Sequence, residues 1–121
     1  FVSAMFGLLI PGQPPLINFQ QVAQGGGLVI QVENADRIHE IGFFLLPGQV
    51  MPTGTMGVLY VSLPPYSEWV KVASISNEMP SVISVVKWRS PPGNGISCQF
   101  GISPEVMQPN ALIPYAPTTG T

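Results

Sequence analysis

The sequence predicts an all-β domain, a jelly-roll-like β-sandwich of about seven or more short antiparallel strands. Two observations lead to this fold class. The chain has 14 prolines and 13 glycines in 121 residues, and they leave no helical periodicity longer than about two turns. Between them lie strand-sized apolar runs, separated by turn sequences about every ten residues, as is typical of sandwiches and barrels.

The first three predicted strands lie in the amino-terminal part of the chain. Residues 5–10 are a short apolar run. Residues 28–33 alternate between apolar and polar side chains, as a strand with one buried face does. Residues 38–46 are apolar almost throughout, which predicts a strand that is covered on both faces.

Four more strands are predicted in the rest of the chain. They cover residues 57–63, 68–76, 81–88 and 96–103. The last of them alternates almost without fault, and this alternation predicts that Cys98 is buried and unreactive in the core.

Turn-forming sequences fall between these strands. They are Gly25-Gly26-Gly27, Pro47-Gly48, Pro52-Thr53-Gly54, Pro64-Pro65 and Pro91-Pro92-Gly93-Asn94-Gly95. After the last strand, Ser103 as a cap and Pro104 at a first helical position predict one turn of helix within residues 104–110.

The predicted domain covers residues 5–110. Residues 1–4 precede Met5, and we interpret them as a cloning remnant. Residues 111–121 are rich in proline and threonine, which predicts a linker.

Charged residues make up only 8% of the chain, against about 25% in an average domain. The net charge of −2 and the four scattered cations argue against nucleic-acid binding and against an anionic membrane surface. No apolar run approaches the roughly 18 residues of a membrane-spanning helix. A surface poor in charge must expose neutral and apolar groups, and contiguous apolar surface usually marks an interaction site.

The sequence offers little chemistry for catalysis, so we expect no enzymatic activity. The chain has one histidine, His39, and one cysteine, Cys98, which cannot form an intramolecular disulfide. One histidine and one cysteine do not supply a tetrahedral metal site, and the six carboxylates are scattered. We predict no catalytic residue, no metal and no cofactor, and a cytosolic or nuclear setting.

Aromatic and methionine side chains are the candidate binding residues. Tyr66 follows a Pro-Pro turn, and with Trp69 it is expected to be partly exposed in a groove for apolar peptide. Methionines in or near loops adapt to varied apolar partners, although each could equally fill a gap in the core. The candidates for an apolar peptide site are Tyr66, Trp69, Met51, Met56 and Phe44.

An ordered series of short motifs runs along the chain. It consists of Met5-Phe6-Gly7, Gln20-Gln21-Val22-Ala23, His39, Pro52-x-Gly54, Tyr60-x-Ser62-x-Pro64, Trp69, Asn77, Pro80-Ser81 and Gly101-Ile102-Ser103-x-Glu105. In this order and spacing, the sequence resembles the amino-terminal domain of the Hikeshi family, called the Opi-ten family in fungi. No single motif is specific, whereas the series is.

The resemblance implies a β-sandwich domain of a nuclear import carrier, present in cytoplasm and nucleus. Such carriers take seventy-kilodalton heat-shock chaperones into the nucleus during heat stress. They bind Phe-Gly repeats of nucleoporins in apolar pockets and form homodimers in full-length form. They also carry a carboxy-terminal domain, so the resemblance implies that residues 111–121 are the linker to such a domain, which is missing here. Chaperone binding is expected to need the full-length protein. In animal members a long loop with its own Phe-Gly precedes the last strand, whereas here that connection is only residues 90–95.

Two other functions remain open on residue composition. One is a self-assembling structural sandwich, which high proline and glycine with low charge also fit. The other is a sugar-binding sandwich that stacks its ligand on Tyr66, Trp69 and Trp88.

Overall fold

The computed structural model describes residues 5–22 and 27–107 of the chain. These residues form eight strands and one short 3-10 turn, Ala35–Arg37. The strands are β1 (Phe6–Leu9), β2 (Gln20–Gln21), β3 (Leu28–Val32), β4 (Glu40–Leu45), β5 (Thr55–Ser62), β6 (Val70–Ile75), β7 (Ser81–Val85) and β8 (Cys98–Val106). The expectations for residues 1–4 and 111–121, and most of the Gly25-Gly26-Gly27 turn, lie outside the described residues.

The strands form two antiparallel sheets, so the predicted all-β class is confirmed. The small sheet has the order β1-β4-β7, and the large sheet has the order β2-β3-β8-β5-β6. All seven predicted strands are present with shifted ends. The two-residue strand β2 was not predicted. The connection between β7 and β8 spans residues 86–97 and is longer than expected, because β7 ends at Val85.

The core lies between the two sheets. The small sheet contributes the rings of Phe6 and Phe43, which stack with centroids 5.6 Å apart. The large sheet contributes Cys98, Phe100 and Ile102, the alternate residues of β8, and all three are buried. The prediction that Cys98 is buried is confirmed. Burial, with a smaller contribution from Glu33, raises the pKa of its thiol to about 12.

The predicted helical turn after Ser103 is wrong, because β8 continues as a strand to Val106. Pro104 pairs with Gly57 of β5, whereas the described pairing of β8 with β3 ends at Ile102. A proline fits a strand where no partner needs its missing N–H. Here the eight-residue pairing with β5 overrides the local capping signal.

Each sheet has an outer face, which points away from the core. On the outer face of the large sheet, β8 places Gln99, Gly101, Ser103 and Glu105, opposite Ser62, Tyr60, Val58 and Met56 of β5. On the outer face of the small sheet, Leu9, Ile83 and Val85 are exposed. No helix in the described part of the chain is long and apolar enough to cross a membrane.

Candidate binding groove

A groove of about 560 Å³ lies on the outer face of the large sheet, and we call it the Trp69 groove. Its lining is mostly apolar or neutral. The lining residues are Val22, Gly27, Leu28, Val29, Tyr60, Trp69, Gln99, Gly101, Ile102, Ser103 and Glu105. These residues come from β3, β5 and β8 and from the loops before β3 and β6.

Gly101 forms the floor of the groove, and the Trp69 indole rests on it. A Cβ atom at position 101 would lie 3.1 Å from Cζ3 of Trp69. A glycine inside a strand often marks a close approach of this kind. On either side, Val29 and Tyr60 lie directly opposite Gly101 in the pairings of β8 with β3 and β5. The side chain of Trp69 stays 39% exposed, so the indole is both anchored and accessible.

The loop between β5 and β6 holds Trp69 in place. The hydroxyl of Ser62 donates a hydrogen bond of 2.6 Å to the carbonyl oxygen of Glu68, the residue before Trp69. Earlier in the loop, the N–H of Tyr66 donates to the carbonyl oxygen of Leu63 at 2.7 Å. Tyr66 has a φ of 65°, which is uncommon for a residue with a side chain and reverses the chain direction here. The loop is thereby fixed against the sheet face.

One end of the groove is polar. The hydroxyl of Tyr60 donates a 2.6 Å hydrogen bond to Oε2 of Glu105. This hydrogen bond to the carboxylate is the largest cause that raises the pKa of Tyr60, followed by burial and by the negative charge of Glu105. Among the described residues that line the groove, Glu105 is the charged one. The site therefore combines an apolar trough with an anionic end.

A second groove of about 310 Å³ lies beside the Pro64-Pro65 turn. The indole N–H of Trp88, which lines this groove, donates to the carbonyl oxygen of Ile38 at 3.1 Å. An exposed ion pair, Arg89 to Glu68 at 3.7 Å, also lies in the lining. Trp69 and Trp88 thus line different grooves, and the expected stacking platform of Tyr66, Trp69 and Trp88 is not a single surface.

The five sequence candidates do not lie together. Trp69 lines the groove, and Met56 lies on the same sheet face opposite Glu105. Phe44 lies on the outer face of the small sheet, where its ring covers Gly7. Tyr66 is half-buried in its turn and lines neither of the two grooves described above.

Met51 is the candidate that the structure removes from the surface. Its side chain is only 2% exposed and belongs to the core, so it is a core residue rather than a contact residue. Asn77 holds its backbone from both sides. The Asn77 Oδ1 atom accepts from the Met51 N–H at 2.9 Å, and the Asn77 Nδ2 atom donates to the Met51 carbonyl oxygen at 2.8 Å.

Sequence reasoning did not find Tyr60, Gly101 and Glu105 as site residues. The alternation in β8 already put Gly101 on the polar face, and it was a usable signal. Tyr60 and Glu105 are 45 positions apart, and only the β5–β8 register brings them together. Glu105 was also placed in the predicted helical turn, so the sequence analysis did not put it on the same sheet face as Gly101.

The sole histidine and the sole cysteine occupy different environments. His39 is exposed before β4, whereas Cys98 is fully buried in the core. Within residues 5–22 and 27–107, no group of three or more His, Cys, Asp or Glu side chains is arranged to hold a metal ion.

Comparison with known proteins gives a consistent result. The family model of the Hikeshi-like N-terminal domain matches residues 9–108. A protein OPI10 homolog from Schizosaccharomyces pombe is 32% identical over 107 residues, which cover 84% of this chain and 52% of that protein. The chain thus spans about half the length of the curated relative that it matches.

Proposed function

The chain belongs to the Hikeshi-like family, and from this membership we propose that it is a binding domain of a nuclear transport carrier that takes up Phe-Gly nucleoporin repeats in the Trp69 groove. The observation that carries this proposal is the indole of Trp69 seated on Gly101 in an apolar trough. Val22, 47% exposed, and Val29 extend the apolar surface of that trough.

The physical chemistry of Phe-Gly repeats suits this groove. Burying one phenylalanine side chain is worth about 1.5–3 kcal/mol before the cost of ordering the peptide is subtracted. A single contact is therefore weak, and several contacts along a repeat supply the avidity. A carrier that must leave the pore needs weak individual contacts. Because only 8% of the chain is charged, salt should change the affinity for an uncharged repeat little.

For the longer protein we propose import of seventy-kilodalton heat-shock chaperones during heat stress, with residence in cytoplasm and nucleus. A standard protein interface occupies roughly 800 Å² per partner, and the Phe-Gly site must stay free while cargo is held. We assign nucleoporin binding to this domain and most chaperone binding to the rest of the carrier or to its homodimer. The role is one of binding, without a catalytic step.

Titration of the isotope-labelled chain with a short Phe-Gly peptide, followed by NMR, tests the groove. We expect weak, saturable shifts at Tyr60, Trp69 and Gly101, and no binding of a peptide with serine in place of phenylalanine. Trp69→Ala should weaken binding. Ile83→Ala, on the outer face of the small sheet, is the control and should leave binding unchanged.

Two outcomes would contradict the proposal. Equal binding of the serine peptide would show that no phenylalanine is recognised. Shifts concentrated around Leu9, Ile83 and Val85 would move the site to the outer face of the small sheet. A sugar-binding function makes the opposite prediction, namely that an oligosaccharide and not the peptide shifts the Trp69 signal.

A further inference from the structure

We propose that Glu105 makes the Trp69 groove selective for peptides that carry a positively charged residue a few positions from the phenylalanine that the groove binds. Peptides with an acidic residue at the same position should bind more weakly. This inference rests on the proposed function, because it concerns the ligand of the same groove. Its basis is the charge and the position of one carboxylate.

The carboxylate of Glu105 is only partly satisfied by the protein. Its Oε2 atom accepts the hydrogen bond from Tyr60 at 2.6 Å. No described residue donates a hydrogen bond to the Oε1 atom or forms an ion pair with it. A charged acceptor atom therefore remains available at the end of an apolar trough, and a cation is its natural complement.

Tyr60 fixes where this charge lies. Tyr60 is directly opposite Gly101 in the β5–β8 register, and its hydroxyl reaches Glu105. The hydrogen bond thus holds the carboxylate on the side of Glu105 that faces the aromatic site. Rigid placement favours discrimination, because a carboxylate held in this way loses less freedom when a cation binds.

The distance along β8 sets the spacing in the ligand. Glu105 lies four residues beyond Gly101, which is about 13 Å at 3.3 Å per strand residue. An extended peptide with its phenylalanine against the Trp69 indole, which covers Gly101, brings a residue about two to four positions away to the carboxylate. The selectivity should therefore act on a flanking position rather than on the Phe-Gly itself.

Lys71 does not form an ion pair with Glu105. Lys71 lies on β6, directly opposite Tyr60 of β5 and on the same face of the sheet. Strand β5 therefore stands between Lys71 and β8, which carries Glu105. The ion pair found among the described residues joins Arg89 to Glu68, beside the second groove. Glu105 is thus left to act on a ligand.

Three peptides with the same Phe-Gly core test the inference. They carry lysine, glutamine or aspartate three residues from the phenylalanine on both sides. For the chain at low salt, we expect affinity in the order lysine, glutamine, aspartate, with steps of about two- to fivefold in Kd, as exposed charge pairs give. The steps should shrink in high salt because the charges are partly exposed.

Matched variants locate the effect. E105Q should lose most of the difference in affinity between the lysine and the aspartate peptide, when each is compared with the affinity of the same variant for the glutamine peptide. E78Q makes the same change in net charge at an exposed position beyond β6, and it should keep the full difference.

The outcomes separate the two proposals. If all three peptides bind with equal affinity, the role of Glu105 is overturned while Phe-Gly binding stands. Should E105Q keep the preference for lysine, the selectivity has another source and the inference fails. If none of the peptides binds, the proposed function itself falls, and this inference falls with it.

Discussion

Replacing Gly101 by alanine should separate binding from stability. The added Cβ atom would lie 3.1 Å from Cζ3 of Trp69, 3.6 Å from Cη2 of the same ring and 3.7 Å from the carbonyl oxygen of Leu28. Contacts near 3.1 Å require the indole to move by a few tenths of an ångström. Trp69 is 39% exposed, so it can move outward without disturbing the core.

The two effects differ in size. Removing glycine from the unfolded chain stabilises the fold by about 0.4–1 kcal/mol, and the new contact with the indole opposes this gain. The net change in the free energy of unfolding should stay within about 1 kcal/mol. One extra carbon in an apolar pocket costs about 1–3 kcal/mol in binding. The groove is open to solvent, so we expect the low end, about a fivefold rise in Kd for a Phe-Gly peptide.

Three measurements test this prediction. Fluorine NMR of the chain labelled with 5-fluorotryptophan reports the displacement of the indole, urea denaturation gives the free energy of unfolding, and peptide titration gives the Kd. The Trp69 signal should shift and the Trp88 signal should not. Gly7→Ala is the control with the same chemical change on the outer face of the small sheet, where the added Cβ atom would meet the Phe44 ring. It should leave peptide binding intact. A shifted Trp69 signal with unchanged peptide affinity would refute the groove as the binding site.

Three other predictions concern the core and the domain. Asn77→Ala removes both hydrogen bonds to the Met51 backbone and should lower the free energy of unfolding by about 1–3 kcal/mol in urea denaturation. Asn77→Asp keeps the acceptor for the Met51 N–H and should lower it less. Equal losses for the two variants would contradict a contribution from both hydrogen bonds. The thiol pKa of Cys98 rises from 9.0 unfolded to about 12 folded, so the neutral thiol is favoured in the fold. The contribution of the neutral thiol to the free energy of unfolding is fully present below pH 9 and is lost as the pH rises from about 9 to about 12. When the free energy of unfolding is measured at several pH values, Cys98→Ala should decrease less over this range than the unchanged chain. Finally, the proposed division of labour predicts that, in side-by-side pull-downs, this chain binds Phe-Gly repeats but binds the ATP-bound chaperone much less than a longer chain with the rest of the proposed carrier does. Equal chaperone binding would place both sites on this domain.

The sequence could predict the elements that alternate strongly. β8 shows why, because Cys98, Phe100 and Ile102 are apolar at every second position and all three are buried. Local patterns also predicted the all-β class, since turn residues recur at strand-length intervals. The two-residue strand β2 was beyond reach, because Gln20 and Gln21 carry no apolar alternation and are ordered by pairing with β3.

The candidate site was predicted only in part, because it depends on which strands are neighbours. Trp69 was recognised from its type and its place after a Pro-Pro turn. Met51 and Phe44 have the same apolar chemistry, yet one fills the core and the other covers Gly7 on the opposite sheet. Nothing in a single sequence tells which of two sheets a strand joins. The helix signal at Pro104 misled for the same reason, because a long-range strand pair decided the backbone there.

The consecutive residues Phe100 and Gly101 connect the core of this domain to the Trp69 groove. The two residues lie on opposite faces of β8: the Phe100 side chain is buried in the core, and Gly101 contacts the Trp69 indole on the outer face. A backbone shift that accommodates a new side chain at position 100 is transmitted directly to the seat of Trp69. If the Trp69 groove binds the proposed peptide, substitutions at position 100 that are selected only for heat resistance should therefore also change the affinity for that peptide. Libraries at these two positions have to be sorted on folding and on binding in the same round.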